Sequence, residues 1–138
     1  MNVLTDGVYD LLHANHVAFL EEARSQGDRL VVAVVSDRIA ETFKRRPVIR
    51  EDERLAVVAA LSCVDEAFIL DEPMDGRTMT ALLQRYRIGA VVYAGDATPE
   101  FYVPAEERGI MRRLPYRRGI SSSAIIESIV SRRRDGDL

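Results

Sequence analysis

Leu30 to Val35 is an unbroken apolar run, and it constrains the fold more than any other segment. A strand with one wet face alternates apolar and polar residues, whereas this one does not, so it reads as a strand covered on both faces. Covering both faces takes helices above and below a sheet, and the flanking sequence supplies them. Leu12, Val17, Leu20 and Ala23 have helical spacing within Leu11 to Ala23, and Gln26-Gly27-Asp28 ends that helix. Downstream, Arg50 to Ser62 carries Leu55, Val58, Ala59 and Leu61 beneath an acidic first turn, Glu51-Asp52-Glu53, which suits the positive end of a helix dipole.

The same alternation runs from end to end. Val3 and Leu4 open a short strand with Thr5-Asp6-Gly7 as its exit, and Ser36-Asp37 closes the second strand where a helix cap would begin. Ala67 to Leu70 is a third strand, Asp71 to Gly76 a turn-rich link, Met79 to Tyr86 a helix and Ile88 to Tyr93 a fourth strand, with Gly95-Asp96 its exit. Residues 97–109 read as irregular chain followed by a short helix ending at Gly109, and Ile110 to Leu114 as a weak fifth strand. Ser121 caps a last helix, Ser122 to about Ser131, with Ile125, Ile126 and Val130 as its apolar stripe. Crossovers of this length favour parallel pairing. The expected fold is a single-domain, Rossmann-like α/β parallel sheet of about five strands with helices on both faces, spanning residues 1–131 and followed by a loose charged tail at 132–138. In such sheets ligands bind at the carboxyl ends of the strands, where strand order reverses, which selects the loops after Leu4, Val35 and Tyr93.

Composition narrows the function classes. The chain has 138 residues, 47% of them apolar, enough for one domain with a real core. Its 22 acids outnumber its 19 bases for a formal charge of -3, which argues against a nucleic-acid binder. The bases nonetheless cluster: residues 38–54 hold six against four acids, and residues 108–118 hold five and no acid. These patches read either as local anion sites or as arginines solvating two loops. A single cysteine, Cys63, excludes an internal disulfide and a cysteine metal cluster, so a reducing cytoplasmic setting is expected, with Cys63 a core thiol. The longest apolar run, Leu55 to Leu61, has seven residues against the roughly 20 of a bilayer crossing, so no span is expected. Residues 1–15 contain acids and no base, so no signal peptide is expected either.

The only two histidines, His13 and His16, stand three apart at the start of the first helix and share one face. Zinc needs three or four ligands, and with one distant cysteine only carboxylates could complete the set. The free amides of a first helical turn together with imidazoles favour a phosphate group instead. No GxGxxG follows the first strand, and no GK[ST], SxxK or nucleophile elbow occurs. Asp6 and Asp10 serve either as paired carboxylates or as turn formers. Near the C-terminus, Tyr116-Arg117-Arg118-Gly119-Ile120-Ser121-Ser122-Ser123 places two arginines and a glycine before a serine-capped helix, a second candidate phosphate site.

These segments carry a resemblance. Asp6 to His16, DGVYDLLHANH, looks like the opening signature of the cytidylyltransferase superfamily, GVYDxxHxGH, and Ile120-Ser121-Ser122-Ser123 resembles its closing signature, RTxGISTT. Val32 to Asp37, Lys44, Arg54 and Val64-Asp65-Glu66 resemble, in order and spacing, the enzymes acting on glycerol phosphate, choline phosphate or ethanolamine phosphate. Heptose phosphate adenylyltransferases share much of the pattern. The resemblance implies a nucleoside triphosphate bound across the two helix starts with Mg²⁺ on its phosphates, a small phosphomonoester attacking the α-phosphorus in line, and release of pyrophosphate. By motif position it implies nucleotide contacts from Thr5, Asp6, Gly7, Tyr9, Asp10, His13, His16, Gly95, Asp96, Gly119, Ile120, Ser121, Ser122 and Ser123. It implies acceptor contacts from Lys44, Arg54 and Asp96, and catalytic roles for His13, His16, Lys44 and Arg118. The expected reaction is CMP transfer from CTP to a phosphorylated alcohol or polyol. The alternatives are adenylyl transfer from ATP to a sugar phosphate, and a noncatalytic nucleotide-binding or scaffold protein. A two-fold dimer is implied by the resemblance and by the small domain.

Four positions depart from the pattern. Asn15 replaces a motif glycine, Ser122 and Ser123 replace threonines, and Tyr93 replaces a lysine of the heptose phosphate relatives, which disfavours their substrate. Tyr116 stands at the RTxG arginine, leaving Arg117 or Arg118 to supply that charge; Arg118, beside Gly119, is the expected one.

Overall fold

The computed structural model describes residues 1–95 and 99–138. Among them five strands, β1 (Asn2–Gly7), β2 (Arg29–Val35), β3 (Glu66–Leu70), β4 (Ile88–Ala94) and β5 (Met111–Leu114), form one sheet in the order β3-β2-β1-β4-β5, every pair parallel. The helices are α1 (Ala14–Arg24), α2 (Asp37–Ala40), α3 (Glu51–Ala59), α4 (Gly76–Arg85), α5 (Val103–Glu107) and α6 (Ser122–Arg134), with a 3₁₀ turn at Glu100–Tyr102 leading into α5. The chain begins at the sheet centre, winds outward to β3, then returns to the other side of β1. Strand order therefore reverses between β1 and β4, and a crevice opens at their carboxyl ends.

Every residue from Leu30 to Val35 is at most 1% exposed, as a doubly covered strand requires. Val32 and Val34 pack with Val3, Leu20, Ala23 and Val58 under α1 and α3. Val31 and Ala33 face the other way, toward Leu4, Met79, Leu83 and Phe101 beneath α4 and the 3₁₀ turn. Burying each such side chain is worth roughly 1.5–3 kcal/mol, so the central strand anchors both layers. In contrast, α6 buries no residue fully and is attached mainly through its first turn.

Several boundaries move, each for a local reason. Thr5, Asp6 and Gly7 remain in β1 instead of leaving it, because the neighbouring β2 pairs them with Val32, Ala33 and Val34. The first helix starts at Ala14, not Leu11, since Leu11 adopts φ 52° and cannot be helical. The fourth helix starts three residues before Met79, because the Asp75 carboxylate accepts the Thr78 N–H at 3.0 Å and caps it. Ser36 caps α2, accepting the Ile39 N–H at 3.2 Å. The last helix continues past Ser131 to Arg134. Cys63 is half-buried against the core under α1 and α3, and that burial raises its pKa.

Candidate active site

Between β1 and α1 the chain turns through two residues in left-handed conformation, Tyr9 (φ 55°) and Leu11 (φ 52°). Non-glycine residues pay on the order of 1–3 kcal/mol for sparsely populated conformations and hold them where the surroundings over-determine the backbone. Asp10, between the two, provides that constraint. Its buried carboxylate accepts the N–H groups of Val48 at 2.8 Å and Ile49 at 3.0 Å, with Arg45 Nη2 at 3.5 Å, and its carbonyl accepts the Ser122 hydroxyl. One residue thus ties the first loop to the basic 45–49 segment and to the start of α6. Gly7 must lack a side chain, because a Cβ there would lie 2.8 Å from the Tyr9 ring.

His13 is the N-cap of α1 and His16 lies one turn on, their rings stacked at 3.8 Å. The His13 N–H donates to His16 Nδ1 at 3.2 Å, so neutral His16 carries its proton on Nε2. Burial pushes the His16 pKa down to about 4, helped by His13 and Lys44 and opposed by Asp10. Burial also lowers His13. Near neutral pH the pair is therefore uncharged and acts as hydrogen-bonding groups, while Lys44 and Arg45, on the segment after α2, line the same cleft and bring fixed charge.

The start of α6 meets this loop directly. Asn15 Nδ2 donates to the carbonyl oxygens of Arg118 at 3.1 Å and Ile120 at 2.9 Å, so the side chain that replaces the motif glycine joins the two helix starts. Gly119 bends the chain there with φ 104°. Ser121 caps α6 by accepting the Ala124 N–H at 3.1 Å. Ser122 is committed to the Asp10 carbonyl, and Ser123 and Ile120 line the cleft. Arg117 also lines it, paired with Glu22 at 3.4 Å, whereas among the described residues Arg118 does not.

The remaining expected residues separate. Arg54 lies below the cleft, 1% exposed, donating to the carbonyls of Ile49, Val8 and Val35 and to the Asp37 carboxylate at 2.6–2.8 Å. Its guanidinium is thereby spent on bracing three loops. The Thr5 hydroxyl donates to the Val92 carbonyl at 2.9 Å and locks β1 to β4. Asp6 and Asp10 do not pair; Asp6 accepts from the Tyr102 hydroxyl at 2.7 Å, and burial lifts its carboxyl to about 6. Gly95 ends β4 with φ 117°, and Asp96 lies outside the described residues. Tyr116 is 72% exposed at the cleft rim. Sequence reasoning missed Tyr102, Phe101 and Met74, all of which line the cleft.

His13, His16, Lys44, Arg45, Arg117 and Ser121 to Ser123 line one cleft of about 1410 Å³ at the carboxyl edge of the sheet. Two helix N-termini, two neutral imidazoles and the cations Lys44, Arg45 and Arg117 can hold a polyanion there and stabilise charge developing on it. No protein nucleophile is required. A parallel sheet with two helix starts facing one basic cleft at its carboxyl edge defines a Rossmann-like phosphate-binding domain. The Cytidylyltransferase-like family model matches residues 4–128, and the chain belongs to that family. It is 40% identical over 131 residues to the bifunctional protein HldE of Koribacter versatilis, covering 91% of this chain and 26% of that protein. It is 41% identical over 133 residues to the HldE of Photobacterium profundum, covering 92% and 27%. The chain thus spans about a quarter of the length of these curated relatives. A lipopolysaccharide core biosynthesis protein from Thermoplasma volcanium superposes with TM-score 0.69 at 25% identity, over 87% of this chain and 98% of that one. Pantothenate synthetase from Thermus thermophilus, with TM-score 0.59 at 16% identity over 96% and 63%, shares the fold. No helix among the described residues is long and apolar enough to cross a membrane.

Proposed function

We propose that this chain transfers AMP from ATP to the phosphate of a sugar phosphate, releasing pyrophosphate. The observation that carries the reading is the joining of the two helix starts: Asn15 and Ser122 bond across to Ile120 and Asp10 and hold both anion-binding ends on one cleft. Similarity to HldE, whose matching part resembles the heptose phosphate adenylyltransferases, favours adenylyl transfer over the CMP transfer expected from the sequence. Tyr93, standing where those relatives carry lysine, favours an acceptor other than theirs and keeps CTP with a phosphorylated polyol as the second reading.

The chemistry needs positioning and charge neutralisation. An acceptor phosphate oxygen forms a bond to the α-phosphorus as the bond to the bridging oxygen breaks, and pyrophosphate leaves with that electron pair. Holding two anions in line replaces an improbable encounter with an intramolecular step. His16 presents its Nε2 proton to charge growing on the α-phosphate, His13 and the α6 amides hold the triphosphate, and Lys44 bridges toward the acceptor. Among the described residues no three His, Cys, Asp or Glu side chains gather as a metal-holding group, and Asp10 is occupied, so Mg²⁺ would be held mostly by triphosphate oxygens and water. Bound there, it would offset phosphate charge.

Purified protein incubated with Mg²⁺, each nucleoside triphosphate in turn and a panel of phosphomonoesters, with pyrophosphate as readout, tests the reading. The expected result is release with ATP and a sugar phosphate. Turnover confined to CTP with a phosphorylated polyol would install the second reading, and nucleotide binding without turnover would make the chain a binding module.

A further inference from the structure

Two rings meet His16. His13 stacks on it at 3.8 Å, and the Tyr9 ring meets it edge-on, with centroids 5.5 Å apart and planes at 67°. Tyr9 reaches this place through backbone that few side chains adopt: it has φ 55°, and the Asp10 carboxylate next to it is held by the N–H groups of Val48 and Ile49. Its ring enters the core under α1 and α3, where Tyr9 is 6% exposed. Gly7 closes the slot from β1, since a Cβ there would stand 2.8 Å from the ring. A side chain so enclosed has little room to turn, so its edge is a fixed wall.

The Tyr9 hydroxyl has no comparable use. It lies beside Thr5, whose own hydroxyl is spent on the Val92 carbonyl, and among the described residues it has no hydrogen-bond partner. A buried hydroxyl left without a partner costs stability. The part of Tyr9 that the fold uses is therefore the ring.

We propose that Tyr9 is a positioning residue: its ring holds the His16 imidazole in the orientation in which Nδ1 accepts the His13 N–H and Nε2 is left for the cleft. The proposal rests on the nucleotidyl-transfer reading, in which that Nε2 proton meets the α-phosphate, and it gives Tyr9 a role other than the nucleotide contact implied by the family resemblance. An imidazole turns readily about its outer torsion, and one hydrogen bond of 3.2 Å is a weak lock. Half a turn would exchange Nδ1 with Cδ2 and Nε2 with Cε1, breaking that bond and removing the donor. Of the two rings that oppose the turn, His13 is only partly buried, so the fixed wall is Tyr9. The same packing keeps water from the imidazole. Burial is the main cause of the low His16 pKa, with His13 and Lys44 adding to it and Asp10 opposing it.

The test compares wild type with Tyr9→Phe, which keeps the ring, and Tyr9→Leu, which removes it. Leucine suits the backbone, because Leu11 holds φ 52° in the same loop. NMR of the histidine ring nitrogens follows the tautomer and titration of His16 without any substrate, and thermal melting checks that each protein is folded. His16 should carry its proton on Nε2 and titrate near 4 in wild type and Tyr9→Phe. In Tyr9→Leu it should populate both tautomers and titrate above about 5, as water reaches it. Gly7→Ala, which pushes the ring without removing it, should displace the His16 signals in the same direction and serves if Tyr9→Leu does not fold. With Mg²⁺, ATP and the best acceptor near neutral pH, Tyr9→Leu should lower kcat about tenfold and change the KM for ATP less than about twofold, and restoring the ring as phenylalanine should recover the rate to within about twofold of wild type. His16 signals alike in wild type and the ring-perturbing variants would overturn the proposal, as would a Tyr9→Phe that loses as much as Tyr9→Leu, which would assign the role to the hydroxyl. A wild type that shows the expected His16 pattern but neither binds ATP nor turns over would overturn the nucleotidyl-transfer reading and leave the positioning by Tyr9 in place.

Discussion

Asn15 Nδ2 donates to the carbonyl oxygen of Ile120 at 2.9 Å and so fastens the first turn of α1 to the chain entering α6. A second bond from the same nitrogen reaches the Arg118 carbonyl at 3.1 Å. α6 has no fully buried residue to fix its position, so these contacts, with that of Ser122 to Asp10, set the spacing of the two anion-binding ends. Partly exposed hydrogen bonds contribute roughly 0.5–1.5 kcal/mol each. Asn15→Gly, which restores the motif residue, should raise the KM for the nucleoside triphosphate about three- to tenfold with a smaller change in kcat. Steady-state kinetics decides it: an unchanged KM would assign the spacing to Ser122 alone.

The second prediction concerns His16. If its Nε2 proton meets charge growing on the α-phosphate, His16→Ala should lower kcat about 10²-fold or more, the scale of one transition-state donor. Because folding lowers its pKa from 6.5 to about 4, the unfolded chain binds the proton more readily. The His16 contribution to stability is therefore fully present above about pH 6.5 and is lost as pH falls toward 4. The rate should show no titration of His16 between pH 6 and 8, and an inflection near 6.5 that disappears in the alanine variant would contradict a neutral donor.

Asp6 titrates with the opposite sign. Its pKa rises from 3.8 to about 6 on folding, so the native state holds the proton more tightly, and the stability this confers is present below about pH 3.8 and lost as pH rises through 6. Asp6→Asn keeps an oxygen to accept from Tyr102 while removing the charge. The variant should gain on the order of 1 kcal/mol over wild type at pH 8 and nearly nothing at pH 4. Urea unfolding at both values measures the difference, and an equal gain at the two would point to packing in place of ionisation.

Arg54 separates two roles. A buried guanidinium engaged by three carbonyls and a carboxylate leaves those groups unsatisfied when removed, at a cost of about 3–5 kcal/mol. Arg54→Ala should lower the melting temperature strongly, and Arg54→Lys should rescue little because an ammonium cannot reproduce the planar fork. An acceptor contact, the role implied by the family resemblance, would instead raise acceptor KM with little change in melting.

The layers of the fold were legible because burial writes itself into sequence. The run Leu30–Val35 reads as a doubly covered strand, and the alternation of strands and helices around it favours parallel pairing. Boundaries were less legible where a partner overrides a local preference: Thr5-Asp6-Gly7 has turn chemistry but stays in the ladder because β2 pairs with it. At the site, His13, His16 and Ser121 to Ser123 were legible because helix starts carry local signatures. Asn15 and Arg54 were not, since their partners lie 105 and up to 46 residues away and no spacing records such bonds. The Asp6–Tyr102 contact, across 96 residues, was hidden for the same reason.

The arginine question gives the last prediction. From sequence, Arg118 beside Gly119 looked better placed than Arg117 to replace the charge that Tyr116 lacks. Gly119 adopts φ 104° and Asn15 holds the Arg118 and Ile120 carbonyls, which fixes the path of the backbone and leaves Arg117 on the cleft. Arg117 is half-exposed and held by Glu22 on α1 at 3.4 Å, a weak surface pair that a triphosphate can outcompete or share. Arg117→Ala should therefore reduce kcat/KM for the nucleotide at least about tenfold, equivalent to about 1.4 kcal/mol, and Arg118→Ala less than threefold. Glu22→Gln, which frees Arg117 without removing it, should leave kcat/KM equal or higher. Kinetics of the three variants at fixed acceptor would test the assignment, and a larger loss for Arg118 would return the role to the residue nearer the serine cap.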